Sequence, residues 1–206
     1  GKDSMFNDFK GFDADDNPVK ISVPPTLLIS ALGVISDAAR TQTLDFKFAG
    51  DKIFLIGDTF SEFGGSEFSA AHKLSKSVVP KISAEKSLAR FRKIFAAHGE
   101  NLFTSIAHVG IGGLAAAISK SCIAGEIGAH VDFSNLADDL RIALFSESKT
   151  RFLVSIAPDR ETEFQKMFSD AKLLGEVSGT DLVIAGVDPI SISKLTENYR
   201  GTFLEF

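Results

Sequence analysis

The sequence predicts a layered α/β or α+β domain, because patterns typical of strands and helices alternate from about Asp37 onward. The composition supports a folded domain: 44% of the 206 residues are hydrophobic and 24% are charged, which is ordinary globular usage. A chain of this length can also bury a substantial hydrophobic core. Neither disorder nor a fibrous repeat is indicated.

Before this alternation, the chain contains a polar, turn-rich segment and one apolar run. Residues 11–18 are rich in Gly, Asp, Asn and Pro, so we expect a loop or hairpin tip between two short extended pieces. The largely apolar run from Thr26 to Val34 predicts a strand buried on both faces, which needs sheet partners. Because Gly1 begins inside a motif, we expect those partners to precede it in a longer parent chain.

The predicted elements then follow in order. A strand at 53–56 leads to a helix that Asp58 or Thr59 can cap and that reaches about Lys73. Ser83 can cap a second helix with one apolar face. Further strands are expected at 104–107, 128–133, 151–157, 174–177 and 182–187, and further helices at 114–123 and 158–168.

Charge and cysteine content argue against several classes of protein. The formal net charge is −5 and no block of Lys and Arg is present, which argues against a general nucleic-acid or anionic-membrane surface. No apolar run approaches the roughly 20 residues of a membrane-spanning helix. The single cysteine, Cys122, cannot form an intramolecular disulfide and fits a reducing, cytoplasmic setting. We expect neither nucleic acid nor a membrane as a partner.

A glycine cluster stands between a predicted strand and a predicted helix. Gly110, Gly112 and Gly113 follow His108, and the helix begins near Leu114. In this arrangement unpaired backbone N–H groups and the helix dipole can point at one bound anion, which predicts a phosphate site. Alternatively, the glycines only permit a tight turn and close helix packing, and the pattern alone leaves both open. The spacing matches neither a Walker A loop nor a dinucleotide fingerprint.

A second cluster, residues 57–68, contains Gly64 and Gly65 inside an otherwise helical pattern. Each glycine costs a helix interior roughly 1 kcal/mol relative to alanine, so close packing or a ligand should require the bare backbone. Three carboxylates here offer the hard oxygen ligands that magnesium prefers, although surface solvation is the simpler interpretation of each. They are Asp58, Glu62 and Glu67.

Two further polar segments are candidate ligand contacts. The segment 146–148, centred on Glu147, interrupts apolar stretches just before a predicted strand, where ligand-binding loops are common. A plain turn would explain it equally well. Lys2, Asp3 and Ser4 place a cation, a carboxylate and a hydroxyl together, as a nucleotide site does, or they belong to a frayed terminus.

Five clusters, taken in order, resemble the C-terminal half of the formylglycinamide ribonucleotide amidotransferase (FGAM synthase) family. This family belongs to the superfamily that includes aminoimidazole ribonucleotide synthetase. Five clusters in order are more specific than any single one, and they span nearly the whole chain. They are Gly1 to Met5, Val23 to Leu27, Gly64 to Phe68, Ala107 to Leu114 and Leu144 to Ser148.

The resemblance implies a fold and a domain boundary. Residues 1–36 would be the C-terminal remnant of an ATP-binding-type subdomain, and residues 37–206 would form the superfamily's C-terminal α+β domain. That domain would contain a mixed β-sheet layered with helices. The upstream half of the enzyme would lie in a longer parent chain, so the isolated fragment would be inactive.

The resemblance also implies an activity: ATP- and glutamine-dependent conversion of formylglycinamide ribonucleotide to formylglycinamidine ribonucleotide in purine biosynthesis. The parent ligase would activate an amide oxygen by phosphoryl transfer from ATP with Mg²⁺, and ammonia would then displace phosphate. No glutaminase triad is visible in this chain, so ammonia would come from a glutaminase subunit or domain. The enzyme would be cytoplasmic, and we also consider a homodimer.

The resemblance assigns roles to the polar clusters, although it identifies no catalytic residue. FGAM synthases often carry a His-Asp-Val-Ser-Asp-Gly-Gly-Leu loop, and His108 and Ile111 stand where its aspartates would be. Because the two aspartates are missing, the loop lacks carboxylates that could contact a metal. The implied nucleotide or phosphate contacts are Lys2, Asp3, Ser4, His108, Gly110, Gly112 and Gly113, and further polar or metal-linked contacts are Ser66, Glu67 and Glu147.

Two other functions stay open at this point. The chain could be a stand-alone module that binds a nucleotide or sugar phosphate without turnover. It could also be another member of the superfamily, such as a selenophosphate or hydrogenase-maturation synthetase. The Gly-Gly-Ser-Glu-Phe cluster at 64–68 argues against the second of these.

Overall fold

The computed structural model describes residues 8–22, 28–35 and 37–201, and the chain divides into two compact units after Arg40. The assignment of residues 1–36 to an ATP-binding-type subdomain, with a second domain after them, stays a prediction.

The first unit contains an antiparallel hairpin formed by β1 (Phe9–Phe12) and β2 (Pro18–Ile21). The carboxylate of Asp13 holds its tip, because it accepts 2.9 Å hydrogen bonds from the backbone N–H groups of Asp15 and Asn17. Carboxylates commonly stabilise turns in this way. The predicted hairpin tip is thereby confirmed.

The buried strand predicted between Thr26 and Val34 is wrong for the part that the structure describes. Residues 28–35 form neither strand nor helix, and Leu32 and Val34 are almost fully exposed. Thr26 and Leu27 lie outside the described residues. A strand that is apolar on both faces is stable only between other strands, and among the described strands none pairs with this run.

The second unit is built on a seven-stranded β-sheet. Its strands are β3 (Lys52–Ile56), β4 (Ser105–Val109), β5 (Ala129–Val131), β6 (Arg151–Ile156), β7 (Lys172–Val177), β8 (Asp181–Ile184) and β9 (Ile190–Ser191). From edge to edge their order is β4-β6-β3-β7-β5-β8-β9. Among these strands every neighbouring pair is antiparallel except β5 with β8. The sheet is therefore mixed, which confirms the α+β class.

Six α-helices accompany this sheet in the described residues. They are α1 (Glu67–Ala71), α2 (Ala84–Gly99), α3 (Gly113–Gly125), α4 (Leu140–Phe145), α5 (Glu161–Met167) and α6 (Ile192–Gly201). Short 3₁₀ helices also form at Ala38–Arg40 and, directly before α5, at Pro158–Arg160.

The core has two clusters, one on each face of the sheet. In the central strand β3, Ile53 and Leu55 pack in one cluster with residues of α3 and α4, and residues of α6 pack against it. Phe54 and Ile56 point the other way, into a cluster with residues of α2 and α5. Side chains alternate along a strand, so a strand covered on both faces must be continuously apolar, as β3 is.

The helix predicted at 58–73 is much shorter in the structure. Residues 57–66 are irregular, and only α1 follows them. A Cβ added at Gly64 would lie 2.6 Å from the backbone nitrogen of Val79, so the glycine permits a close approach of two backbone segments. Of the two predicted reasons for a glycine, close packing and a ligand, close packing therefore applies at Gly64.

The other predicted elements have mixed outcomes. The strands expected between residues 104 and 187 correspond to β4, β5, β6, β7 and β8, and the predicted helices correspond to α2, α3 and α5. In α2, Ile94 packs against the core, whereas Phe95 is 79% exposed, so the apolar face is only partly buried. The elements α4, α6 and β9 were not predicted. Helix α4 and strand β9 span only six and two residues, and α6 carries few large apolar residues.

The core packing can be tested with two matched phenylalanine substitutions. Phe164 is fully buried, and its ring lies 4.8 Å from the ring of Phe54, centroid to centroid. We expect Phe164→Ala to lower the free energy of unfolding by about 3–5 kcal/mol, because it leaves a cavity. Phe95→Ala should change it by less than about 0.5 kcal/mol. Urea denaturation measures both, and similar losses would contradict the assigned core.

Candidate functional site

A buried arginine organises the loop between α4 and β6. Arg151 is fully buried, and its guanidinium donates to the backbone oxygens of Ser146 and Ser148 and to Thr59 Oγ1. Burial lowers the pKa of Arg151 to about 10, while the nearby carboxylates of Glu62 and Glu147 oppose this shift. The side chain is therefore still cationic at neutral pH, and its guanidinium forms three hydrogen bonds inside the protein.

The same loop is tied to the loop that follows β3. The backbone N–H of Phe60 donates to Ser148 Oγ at 3.0 Å, and Ser146 Oγ donates to the carbonyl of Phe60. The backbone N–H of Glu147 donates to the carbonyl of Glu62 at 3.0 Å. Two segments that are far apart in sequence are thus hydrogen-bonded to each other at the ends of β3 and β6.

A carboxylate of the protein itself binds the glycine turn before α3. Glu147 is buried, and its Oε1 accepts a 2.9 Å hydrogen bond from the backbone N–H of Gly112. The N–H of Gly113 donates to the carbonyl of Gly110 at 3.0 Å. The amides of Gly112 and Gly113, expected to face a phosphate, therefore already have acceptors within the protein.

The glycines also serve the tight packing that was the alternative interpretation. Gly112 and Gly113 have φ angles of +80° and +65°, in the left-handed region that favours glycine. A Cβ added at Gly113 would lie 2.5 Å from the carbonyl oxygen of Leu144. Close approach between α3 and the backbone of α4 accordingly requires a glycine here.

An open cleft of about 890 Å³ lies beside this turn, between β4, α3 and residues 42–45. Its wall is held in part by a 3.0 Å hydrogen bond from the backbone N–H of Ile106 to the carbonyl of Thr43. Of the predicted site residues, His108 and Gly110 line the cleft. Lys120 and Lys149 also line it, and neither forms an ion pair with any described residue.

The two lysines were not predicted. Lys149 adjoins the polar segment 146–148, so its position next to a candidate loop was a usable signal. Lys120 lies in α3, and only the fold brings it to the cleft. Two ammonium groups that pair with no carboxylate in the described part of the chain make the cleft suitable for an anion.

His108 lies on the edge strand β4, and its ring meets the ring of Phe152 edge-on at 5.8 Å between centroids. Burial lowers the pKa of the imidazole, and the positive charges of Lys149 and Arg151 lower it further. The ring is therefore neutral at pH 7 and can donate one hydrogen bond. It would add a donor to the cleft without adding charge.

The remaining predicted contacts lie apart from the cleft or outside the described residues. Ser66 is buried and caps α1, since its Oγ accepts from the N–H of Ser69 at 3.1 Å and donates to the carbonyl of Phe63 at 2.6 Å. Glu67 is exposed in the first turn of α1. The predicted contacts Lys2, Asp3 and Ser4 lie outside the residues that the structure describes.

Two of the three carboxylates suggested for magnesium are engaged with protein groups. Asp58 Oδ2 lies 3.1 Å from Arg90 Nη2, and Glu62 Oε1 accepts from the backbone N–H of Lys81 at 3.1 Å. Within the described residues no three His, Cys, Asp or Glu side chains come together as a metal site. In the same residues no helix has the length and apolarity to cross a bilayer.

Comparison with known proteins identifies the family. The family described as "AIR synthase related protein, C-terminal domain" matches residues 49–188, which is most of the second unit. This chain belongs to that family. Membership in the AIR synthase-related family accounts for the mixed sheet with helices and confirms the superfamily inferred from the five sequence clusters.

Among curated relatives, the chain is similar to phosphoribosylformylglycinamidine synthase subunit PurL. It is 38% identical to that subunit of Alkaliphilus metalliredigens over 88% of this chain and 26% of the relative. It is 30% identical to that of Methanobrevibacter smithii over 100% of this chain and 28% of the relative. The chain thus spans about a quarter of the length of these relatives.

Several solved structures share the fold. PurL of Thermotoga maritima complexed with FGAR superposes with a TM-score of 0.66 at 16% identity, over 77% of this chain and 30% of that one. The same protein complexed with ATP gives 0.58 at 17% identity, over 77% and 27%. The E. coli hydrogenase maturation protein HypE gives 0.53 at 15% identity, over 73% and 50%. At these identities the likeness concerns the fold alone.

The packing role of Gly113 can be separated from its backbone conformation. Gly186 has a φ of +82° and open space around its Cβ position, so Gly186→Ala introduces only left-handed strain. Gly113→Ala introduces comparable strain plus a backbone clash, which should cost about 1–3 kcal/mol more. Chemical denaturation of the two variants measures the difference. Equal losses would show that Gly113 is not closely packed.

The environment of His108 can be tested by NMR titration. We expect its pKa to lie below the ordinary histidine value of about 6.5, mainly because of burial. Lys149→Gln should raise the pKa toward that value without reaching it. Between the folded and unfolded pKa values the unfolded state binds more protons, so His108 lowers stability as the pH falls through this range. A pKa at or above 6.5 in the unmodified protein would contradict this environment.

Proposed function

We propose that this chain is the C-terminal part of an FGAM synthase of the PurL type, an ATP-dependent carbon–nitrogen ligase of purine biosynthesis. The observation that carries the proposal is the 38% identity to a PurL subunit over 88% of this chain. That similarity extends beyond the residues that the family match covers, which are 49–188. The parent enzyme would use glutamine-derived ammonia to convert formylglycinamide ribonucleotide to formylglycinamidine ribonucleotide.

We propose that the cleft is where this chain contributes to the reaction. Lys120 and Lys149 would neutralise phosphate charge, and His108 and the exposed backbone near Gly110 would orient it. Gly112 would instead act indirectly, because its amide is bound to Glu147. The geometry supports phosphate binding by cleft side chains more strongly than by the amides at the start of α3.

The proposed chemistry requires charge stabilisation and positioning. The amide oxygen of the substrate would attack the γ-phosphorus of ATP, and the bond between that phosphorus and the departing ADP oxygen would break. Ammonia would then attack the activated carbon and lose a proton. The original carbon–oxygen bond of the amide would cleave, and that oxygen would leave as part of inorganic phosphate. Negative charge accumulates on phosphate oxygens in the first step, so fixed cations such as Lys149 would lower its barrier.

ATP is a substrate of this proposed reaction, and Mg²⁺ would accompany it. Asp58 and Glu62 do not fit a magnesium site, since Asp58 pairs with Arg90 and Glu62 accepts a hydrogen bond from the backbone N–H of Lys81, and no three potential ligands come together in the described residues. We therefore derive no step from a metal held by them. Lys2, Asp3 and Ser4 remain proposed contacts on the nucleotide side, and Glu67 a proposed polar contact.

We further propose that the chain works with the upstream half of the same enzyme and with a glutaminase subunit or domain. Similarity to PurL, which is named as a subunit of its synthase, supports a multi-component enzyme. A cytoplasmic location and a homodimer belong to the same proposal. The first fits the small-molecule substrates, and the second is open to direct measurement by light scattering.

A second candidate is a module that binds a nucleotide or sugar phosphate without turnover. It is favoured by His108 and Ile111 at the positions where the family resemblance implies aspartates. Such a module would retain ligand binding in the cleft. It would release no ADP when the substrates are supplied.

The test is substrate-dependent ADP formation by the complete protein that contains this chain, with ammonium chloride as the nitrogen source. Lys149→Met should lower kcat/KM by about 10–100-fold, because a cation near transferring phosphate is lost. Lys172→Met is the matched control, since Lys172 lies on β7 and does not line the cleft, and it should leave the rate unchanged.

Two results would contradict the proposal in different ways. ATP binding without ADP formation would favour the module. An equal rate in the Lys149 variant would remove the cleft from the reaction, while leaving the family assignment intact.

A further inference from the structure

Lys149 also lines a second cavity, separate from the glycine turn. This basic pocket has a volume of about 350 Å³ and is bordered by parts of the segments 58–62 and 81–87, by Arg90 and by Thr150. Its volume lies at the small end of ligand-binding cavities, which range over about 300–1,000 Å³. The pocket is therefore suited to a small ligand.

Three lysines give the basic pocket its charge. Lys81, Lys86 and Lys149 line it, and none of them forms an ion pair with another described residue. The first turn of the 16-residue helix α2, capped by Ser83, adds partial positive charge at the same place. The complete chain has a net charge of −5, so a cluster of unpaired cations stands out against an acidic background.

The walls of the basic pocket are fixed in place. Arg90 donates to the carbonyl of Thr150 at 2.9 Å and to Asp58 Oδ2 at 3.1 Å, which joins three segments. The buried hydroxyls of Ser87 and Thr150 lie 2.8 Å apart. Glu62 Oε1 accepts from the backbone N–H of Lys81. A pocket whose walls are already ordered loses little entropy when it binds a ligand.

Two carboxylates in the basic pocket favour a ligand that carries hydroxyl groups as well as negative charge. Asp58 and Glu62 line the basic pocket together with the lysines. Glu62 is 7% exposed, and its Oε2 has no hydrogen-bond partner among the described residues. A buried acceptor without a partner is costly, and a small rotation toward the pocket would let it meet a donor. Carboxylates repel a bare anion but accept hydrogen bonds from hydroxyl groups.

We propose that the basic pocket binds a sugar phosphate, with its phosphate at Lys81 and Lys86 and a hydroxyl directed toward Glu62 or Asp58. This site is additional to the cleft and does not depend on the proposed ligase reaction. The phosphorylated sugar could be part of a ribonucleotide substrate or a separate effector. A ribonucleotide and a separate effector would both present a sugar phosphate to the pocket, so the experiment tests one ligand of each kind.

The test is lysine acetylation footprinting of the complete protein, read by peptide mass spectrometry. The probes are ribose 5-phosphate, inorganic phosphate, ribose and the ribonucleotide substrate of the proposed reaction. At ten times the Kd about a tenth of the sites are free, so ribose 5-phosphate should slow acetylation of Lys81 and Lys86 about tenfold. Ribose should protect neither lysine, and inorganic phosphate should protect them less than ribose 5-phosphate.

A pair of variants links the protection to the pocket. Lys86→Gln should weaken the protection of Lys81 by ribose 5-phosphate about tenfold in apparent affinity, because one charge-assisted contact is lost. Lys93→Gln is the matched control, since Lys93 lies on the same helix but does not line the basic pocket. It should leave the protection unchanged.

The outcomes separate this inference from the proposed function. Protection by both ribose 5-phosphate and the ribonucleotide supports a substrate subsite, and protection by ribose 5-phosphate alone supports an effector site. No protection at millimolar ribose 5-phosphate, or equal effects of the Lys86 and Lys93 substitutions, overturns the inference. Equal protection by inorganic phosphate overturns the part that concerns the sugar. None of these results depends on ADP formation.

Discussion

The buried guanidinium of Arg151 is the interaction on which the site depends. Removing a cation from water costs several kcal/mol, and three protein acceptors and the charges of Glu62 and Glu147 offset that cost here. These groups belong to two loops, one after β3 and one before β6, so they can satisfy the arginine only when the sheet has brought them together. The hydrogen bonds of Arg151 therefore depend on the correct pairing of β3 with β6.

Glu147 shows how a glycine-rich turn can lack a free anion site. Its carboxylate occupies the amide of Gly112, which a phosphate would otherwise use. The carboxylate also lies close enough to Arg151 to affect its titration, so it links the glycine turn to the arginine. The Glu147 carboxylate thereby holds the start of α3 in place, and the proposed anion binding rests on cationic side chains instead.

Periodicity and family resemblance predicted the α+β class and most of the central elements, because buried strands such as β3 carry an unbroken apolar run. The contacts around the candidate site were less predictable from the sequence. No local pattern shows that the 146–148 segment meets residues 57–62, since that contact depends on the order of strands in the sheet. The polar residues therefore suggested ligand contacts, whereas Ser66 caps a helix and Glu147 binds a backbone amide. Lys120 was missed for the same reason.

The 3.0 Å bond between Thr43 and Ile106 has a consequence for solubility. Strand β4 is the last strand at one side of the sheet, and an uncovered outer strand offers its peptide groups to any extended chain nearby. Residues 42–45 run beside this strand and occupy one of those groups. A deletion that displaced them would expose a template for intermolecular β-pairing, and the protein would then tend to aggregate.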